Sequence, residues 1–456
     1  MIIPFATESY RRERAYTPEQ KLLNFFIEKD ESNSESEQQQ VMLLQRPGLS
    51  AYATLSAPIQ AIYAPNNPKM SATYAISGNR LYSVESGAFT DLGELGGTTG
   101  IASLCANFDR LAMVSYPLFY LYGATEGSTD FSFRNVPIPD EYKAVAVTHL
   151  NGYLVVACDD GTFYWLTPGA DEFDPLDFAT AESSPDGLIG IGTLNGNLVL
   201  FGTSTVEIWQ PSGNGDLPFQ RATGQDFARG CMHRDAIVSI DNSITWVGED
   251  GKVYRASNVP QRISTDGIDE RLKLRSGDPS AWSFSQDGHL FYVLNIPGQG
   301  TFAYDVATSV WSEFQTTGYD RWLPQVGCFA ADGWLCGDSE TGAIWRISDA
   351  ATDAGVAIRR AASATANVPN KPRRVDNIVL DVGCSAPCEW RIRWADADEL
   401  LDNQEWITLN ATRAGADILT YYRMGAARSP YRTFEVEVTD PVFVRLSGGR
   451  VAEAWR

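Results

Sequence analysis

The sequence predicts an all-β protein: a β-propeller of six or seven blades, with an N-terminal arm before it and a C-terminal β-sandwich-like domain after it. Three observations carry this reading. A turn-then-strand unit returns about every 45 residues through the middle of the chain. No long amphipathic helix pattern interrupts it. After Trp345 the texture changes, and alternating strands resume only from Val375.

The units read NRLYSV from Asn79, DRLAMVS from Asp109, NGYLVVA from Asn151, NGNLVLFG from Asn195, DNSITWVG from Asp241, DGHLFYVL from Asp287 and DGWLCG from Asp332. Each opens with Asn or Asp beside a small or turn-tolerant residue, which suits the positive backbone dihedrals of a tight hairpin turn. In the third unit, Tyr153 to Ala157 is a strand, Asp159, Asp160 and Gly161 form the next turn, and Phe163 to Leu166 is the returning partner. Two more short strands complete a four-stranded blade. Radially packed blades bury both sheet faces, so LVLFG and LFYVL need not alternate apolar and polar residues. The first and last units are irregular and can share one blade closed by both chain ends, hence six or seven.

Residues 1–50 form the arm, 51–350 the propeller, and 351–456 a connector with the C-terminal β domain. In the arm, the basic stretch YRRERAY precedes LLNFFIEKD and then ESNSESEQQQ, a polar loop within 28–40 too poor in apolar residues to order itself. Arg46-Pro47-Gly48 reads as a turn. The connector carries Arg359, Arg360, Lys371, Arg373 and Arg374, read as an exposed basic patch able to dock on an acidic partner. In EWRIRW, Trp390, Ile392 and Trp394 share one strand face and Arg391 and Arg393 the other, the pattern of a half-buried strand.

With 456 residues, 44% hydrophobic and 11% aromatic, the chain can fill a ring and attachments. MIIPFATESYRRER lacks the apolar stretch of a signal peptide, and no run of about 18 apolar residues occurs, so synthesis in a cytoplasm with no membrane-spanning segment is expected. Seven cysteines, an odd number, argue against a disulfide framework. A formal net charge of −21 disfavours gripping nucleic-acid phosphates.

Reactive constellations are scarce. His149, His233 and His289 lie in different repeats without a second ligand at metal spacing. Cys384 and Cys388 flank Ser-Ala-Pro at the base of a predicted hairpin, where the thiols can meet; pairing is left open. No phosphate loop with its Lys, nucleophile elbow or kinase set is present, and GELGGTTG, from Gly93 to Gly100, reads as an inter-blade turn. Asp159-Asp160 and Glu249-Asp250 fall in hairpin turns. SIDNSITW, Ser239 to Trp246, resembles the Asp box of sialidase-type propellers with Ser243 in place of Gly, a structural turn even there. No catalytic residue, cofactor or metal is therefore assigned.

The stretch AESSPDGLIGIGTLNGNLVLFGTSTVEIWQPSG, Ala181 to Gly213, resembles the signature of the packaged-DNA stabilisation proteins, the tail hub or nozzle subunits of short-tailed bacteriophages. The matching positions include Glu182, Pro185, Asp186, Gly187, Phe201, Gly202, Ser204, Thr205, Glu207 and Trp209. The likeness continues through LPFQRATGQ, GEDGKVYR and PQRIST, and back to LLNFFIE and LLQRPGL, which resemble the family's Asn-x-x-x-Glu and Arg-Pro-Gly-Leu elements. The polar run ahead of VMLLQRPGL departs from the pattern.

The motif reads as structural: Pro185-Asp186-Gly187 launches a buried strand, and Glu207 beside Trp209 is expected to find backbone or arginine partners such as Arg221 or Arg229. The resemblance implies a virion protein, built in the host cytoplasm and placed in the tail as a ring of six copies. Its implied neighbours are the portal and head-to-tail adaptor above and the needle, spike or fibre proteins below. It would extend the channel that retains packaged double-stranded DNA and conducts it on ejection, without sequence-specific binding. The alternatives are a propeller interaction module, which would show Gly-His and Trp-Asp pairs if of WD type, and a propeller glycosidase.

Overall fold

A computed structural model describes residues 2–7, 9, 20–29, 41–65, 67–97, 100–125, 128, 130–181, 187–338, 340–368, 373–428 and 430–454. The polar run 31–40, Glu182, Pro185, Asp186 and Lys371 lie outside the described residues, as does the side chain of Arg373.

The repeat resolves into seven blades. Blades 1 to 6 occupy 59–94, 103–135, 144–180, 188–221, 238–262 and 280–314, each four consecutive antiparallel strands. Blade 7 takes three strands from 324–348 and its outer strand, Gly48–Thr54, from the other end of the chain. The first unit thus owns a complete blade, and only the last is shared between chain ends.

The recurring turn joins the first and second strands of blades 2 to 7, whereas the Asn79 turn joins the second and third strands of blade 1, and the chemistry of the turns at Asn151 and Asp287 matches their geometry. Asn151 and Gly152 have φ of 53° and 89°, and Asp287 and Gly288 have 50° and 85°, the left-handed pair that a two-residue hairpin turn requires. Asn pays little for this conformation and Gly none. Each turn therefore reverses the chain without splaying the strands.

Every neighbouring pair of blades encloses its own apolar cluster. Leu121 and Val156 lie between blades 2 and 3, Trp165 and Leu200 between 3 and 4, Phe201 and Trp246 between 4 and 5, and Tyr292 and Val253 between 5 and 6. Trp282 and Cys336 join blades 6 and 7, Ile344 and Ile59 join 7 and 1, and Ile76 and Met113 join 1 and 2, which closes the ring. The helix Asp266–Lys273 buries Ile268 and Leu272 in the cluster between blades 5 and 6.

The other unit is a sandwich of two sheets. One holds Phe25–Lys29, Val41–Gln45, Val444–Ala454, Arg373–Cys384 and Gly415–Ala427 in that order, with Ile2–Ile3 on Val444–Ala454. The second holds Leu22–Leu23, Arg360–Asn367, Tyr431–Val438, Cys388–Asp396 and Ile407–Ala411. It continues into blade 6 through parallel pairing of Leu23 with Glu313. Residues 1–50, read from sequence as one arm, are thus divided between the sandwich and blade 7.

The alternation in EWRIRW has the expected outcome. Trp390 and Ile392 are fully buried in the sandwich core, while Arg393 Nε donates to Glu435 at 2.6 Å and Arg391 pairs with Glu437 on the opposite face. The Trp406 ring lies 4.5 Å from the Arg393 guanidinium.

Candidate functional site

Three arrangements concentrate the polar chemistry of the molecule. The first is blade 4. A Cβ at Gly187 would stand 2.3 Å from the Asp159 carbonyl oxygen, and at Gly190 and Gly192 it would meet Ile237 and Ile244 of the next blade at 2.5 and 2.7 Å. These glycines let blades 3 and 5 approach the backbone of blade 4. Phe201 is fully buried with its ring 5.5 Å from Trp246. The Gly202 amide donates to the Thr205 carbonyl at 2.8 Å, closing the turn that contains Ser204.

Glu207 is 3% exposed. Its Oε2 accepts from Trp209 Nε1 at 2.8 Å, and Arg221 Nε lies 3.7 Å away. The expected partner Arg221 is present, and it also pairs with Asp226. Arg229 instead turns its guanidinium over the Tyr254 ring at 5.9 Å.

The second arrangement is a clasp between sandwich and propeller. Arg46 is fully buried and makes a bidentate pair with Asp353 at 3.0 and 2.6 Å, while its Nε donates to Asn24 Oδ1 at 2.7 Å. Its guanidinium stacks 5.1 Å from the Trp322 ring. Asn24 donates in turn to the carbonyls of Gln315 and Arg359 at 2.9 and 2.6 Å. Four residues on, Glu28 meets His289 Nε2 at 2.8 Å, and Asp305 meets His289 Nδ1 at 2.8 Å. Both ring nitrogens therefore face carboxylates, which fixes a charged imidazolium. Burial opposes that charge, but the Asp305 and Glu28 carboxylates outweigh it and raise the pKa to about 9.

The third is a bar across the propeller axis. Arg234, at the entry to blade 5, donates to the Val145 carbonyl of blade 3 at 2.7 Å and to the Ile101 carbonyl ahead of blade 2 at 3.3 Å. Its guanidinium also covers the Tyr116 ring at 5.6 Å. A side chain that starts at blade 5 and ends on blades 2 and 3 spans the centre.

These elements fall within one recognisable pattern. The family described as bacteriophage P22 Gp10, β-propeller, matches residues 23–352, from Asn24, Glu28 and Arg46 of the clasp through all seven blades, ending one residue before Asp353. The chain belongs to this family. It is similar to the tail hub protein gp10 of Salmonella phage P22, 27% identical over 315 residues. That match covers 62% of this chain and 63% of gp10, less than two thirds of the relative's length. Among solved structures the chain is similar to the WD40 β-propeller domain of Doa1, with a TM-score of 0.43, 12% identity, and 66% and 97% of the two chains covered. A mitotic checkpoint complex chain gives a TM-score of 0.45, 14% identity, and 67% and 94% coverage.

Within this Gp10-family propeller the described signature residues are packing elements. Gly187, Phe201, Gly202, Glu207 and Trp209 stand along blade 4 where it faces blades 3 and 5. The basic cluster needs correction. Arg360 is fully buried and donates to Gln45 Oε1 and the Val442 carbonyl, each at 2.8 Å, and to the Asp440 carbonyl. Burial pulls its pKa down to about 10. It cannot dock a partner, because Arg360–Asn367 is an interior strand and not a solvated connector. Arg359 Nε donates to Glu437 at 2.6 Å, while Arg374 is exposed beside Asp376 at 2.9 Å.

Sequence reasoning did not foresee Asp353, His289 and Arg234 as junction residues. Asn24, Glu28 and Arg46 lay inside the family elements noted above, but their partners are remote in sequence. Among the described residues, no three His, Cys, Asp or Glu side chains gather at metal-binding distance. Cys384 and Cys388 are unbonded thiols with sulfurs 3.1 Å apart, where the chain crosses between the sandwich sheets. A hydrogen bond from Cys388 pulls the Cys384 pKa down to about 7.

Proposed function

We propose that this protein is a non-catalytic structural subunit of a bacteriophage tail, a hub whose copies form a ring around the DNA exit path. The observation that carries the reading is family membership across the whole propeller, residues 23–352. Its place would be the virion tail, below portal and adaptor and above needle, spike or fibre, after assembly in the host cytoplasm. Six copies are the expected number.

The arrangement of side chains supports a wall more than a conduit. Arg234 ties blade 5 to blade 3 and to the segment ahead of blade 2, which favours a duplex path between copies over one through a single propeller. Six chains would bring 6 × −21 = −126 formal charges around that path. A wall of like sign repels phosphates, so DNA is retained and conducted without being gripped. Inter-blade cores at native packing density make each subunit a stiff wedge.

Immunogold labelling and negative-stain imaging of purified virions test this. Label at a ring on the tail is expected. Absence of the chain from virions overturns the proposal, and tight binding of duplex DNA by the purified protein at 150 mM salt, about one Debye length of 8 Å, overturns the repelling-wall part.

A further inference from the structure

We infer that copies of this chain join head to tail, the outer face of the sandwich's first sheet seating on the rim of blades 3 and 4 of a second copy. This rests on the ring reading above and names its contact surfaces. The sheet Phe25–Lys29, Val41–Gln45, Val444–Ala454, Arg373–Cys384, Gly415–Ala427 has one face on the sandwich core; its other face packs on blades 6 and 7 through Phe26, Leu44 and Glu28 of its first two strands, and no described layer covers the remainder, over Val444–Ala454, Arg373–Cys384 and Gly415–Ala427. Cross-strand register puts Ala416, Gly383 and Arg445 in one outward row, Ile418, Asp381 and Gly448 in the next, then Thr420, Val379 and Arg450, then Tyr422, Asn377 and Ala452. Ile418 and Tyr422 are 60% and 64% exposed. Arg445 is exposed with no ion pair among the described residues, and Arg450 reaches Asp381 only at 4.0 Å. A cavity of about 530 Å³ opens between Met42, Ile418, Arg413 and Arg445. The face sets Ile418, Tyr422 and Val379 among Arg445 and Arg450, with the carboxylates of Asp381 and Asp417 at the cavity, a mixed apolar and charged composition suited to docking.

Its counterpart has the opposite charge and the same apolar character. The loop and outer strand of blade 3 present Glu172 and Asp174 with Leu176 at 82% exposure and Phe178 at 42%. Asp216 of blade 4 lies near enough to act on Asp177, and Leu217 beside it is 45% exposed. Composition divides the same way along the chain: residues 51–350 hold 35 Asp and Glu against 16 Lys and Arg, whereas 351–456 hold 14 of each. Acidic rim and arginine face are complementary.

Placement makes the contact able to propagate. The sandwich is tied to the ring at blade 6, through Leu23 and Glu313, and at blade 7, through Gly48–Thr54. On a closed ring of seven, blade 3 lies opposite the boundary of blades 6 and 7. Two different, complementary surfaces on one subunit form a heterologous interface, which closes into a ring when the rotation between copies permits.

The test is sedimentation velocity of the full chain over a concentration series, with negative-stain imaging. The double variant Arg445→Glu, Arg450→Glu and the rim variant Leu176→Asp are each expected to weaken self-association by about tenfold or more. Both keep the far-ultraviolet circular dichroism of the parent, since these side chains are solvent-exposed. Mixing Arg445→Glu, Arg450→Glu with Glu172→Lys, Asp174→Lys is expected to restore dimers, because the unaltered arginine face of the second variant meets the unaltered acidic rim of the first; a single chain carrying all four changes is expected to self-associate through the reversed pair. A wild-type chain that stays monomeric, or rings that ignore these variants, overturns the inference. In the latter case virion labelling still judges the hub reading by itself.

Discussion

Propeller and clasp hold together by opposite means, and the contrast explains which parts of the molecule are local and which are global. Between blades the contacts are apolar and repeated seven times, each cluster supplied by strands adjacent in sequence except where blade 7 meets blade 1 and where Phe26 and Leu49 enter the cluster between blades 6 and 7. Between sandwich and propeller, the Leu23–Glu313 strand pairing and the apolar contact of Phe26 with blades 6 and 7 are joined by a buried ionic network: Arg46 with Asp353, and Glu28 with His289, which also pairs with Asp305. Apolar packing loses stability in increments as it is trimmed. A buried charge network is satisfied as a whole, and loss of one partner strands the other. The ring is therefore the tolerant part and the clasp the brittle one.

The largest effect is expected where that contrast is sharpest. Asp353→Ala leaves the fully buried Arg46 guanidinium without its bidentate partner, and should cost about 3–5 kcal/mol in chemical denaturation. It should also separate sandwich and propeller into two transitions. A single unshifted transition would mean that the clasp is not what couples them.

A smaller loss is expected inside the ring. Gly192→Val would drive a side chain into Ile244 of blade 5, and overpacking of this kind costs about 1–3 kcal/mol. Because the neighbouring blade can shift, unfolding should remain cooperative. If Gly192→Val proved as damaging as Asp353→Ala, the proposed tolerance of the ring would be wrong.

The third effect depends on pH. His289 has its pKa raised from 6.5 to about 9, so its contribution is complete below 6.5 and fades as pH rises through 9. After allowance for partial solvent screening, the loss across that window is on the order of 1–2 kcal/mol. His289→Gln should flatten the stability profile between those limits. An unchanged slope in the variant would assign the titration to another group.

The sequence was most legible where structure is local. Asn151-Gly152 and Asp287-Gly288 announced their turns because the left-handed conformation admits few residues, and the period of those turns carried the ring. Trp390 and Ile392 announced a buried strand face by alternation alone. The clasp was hidden because Arg46 and Asp353 are separated by 307 residues, and no local pattern reports on a partner that distant. Arg360 misled for a related reason. Charge in a stretch rich in Ala, Thr and Asp reads as solvated, yet the carbonyls of Asp440 and Val442 and the Gln45 side chain supply inside the protein what water supplies outside. Within blade 4, the residue types of the signature were visible, but their meaning was steric: glycines such as Gly190 matter for what approaches them from the next blade.

The most direct measurement for the account as a whole is a reconstruction of the tail from virions containing this chain. The account predicts propellers side by side in a closed ring, each with its own axis barred at Arg234, and a duplex path running between the copies. Density for DNA threading a single propeller, or a tail that lacks the chain, would contradict it.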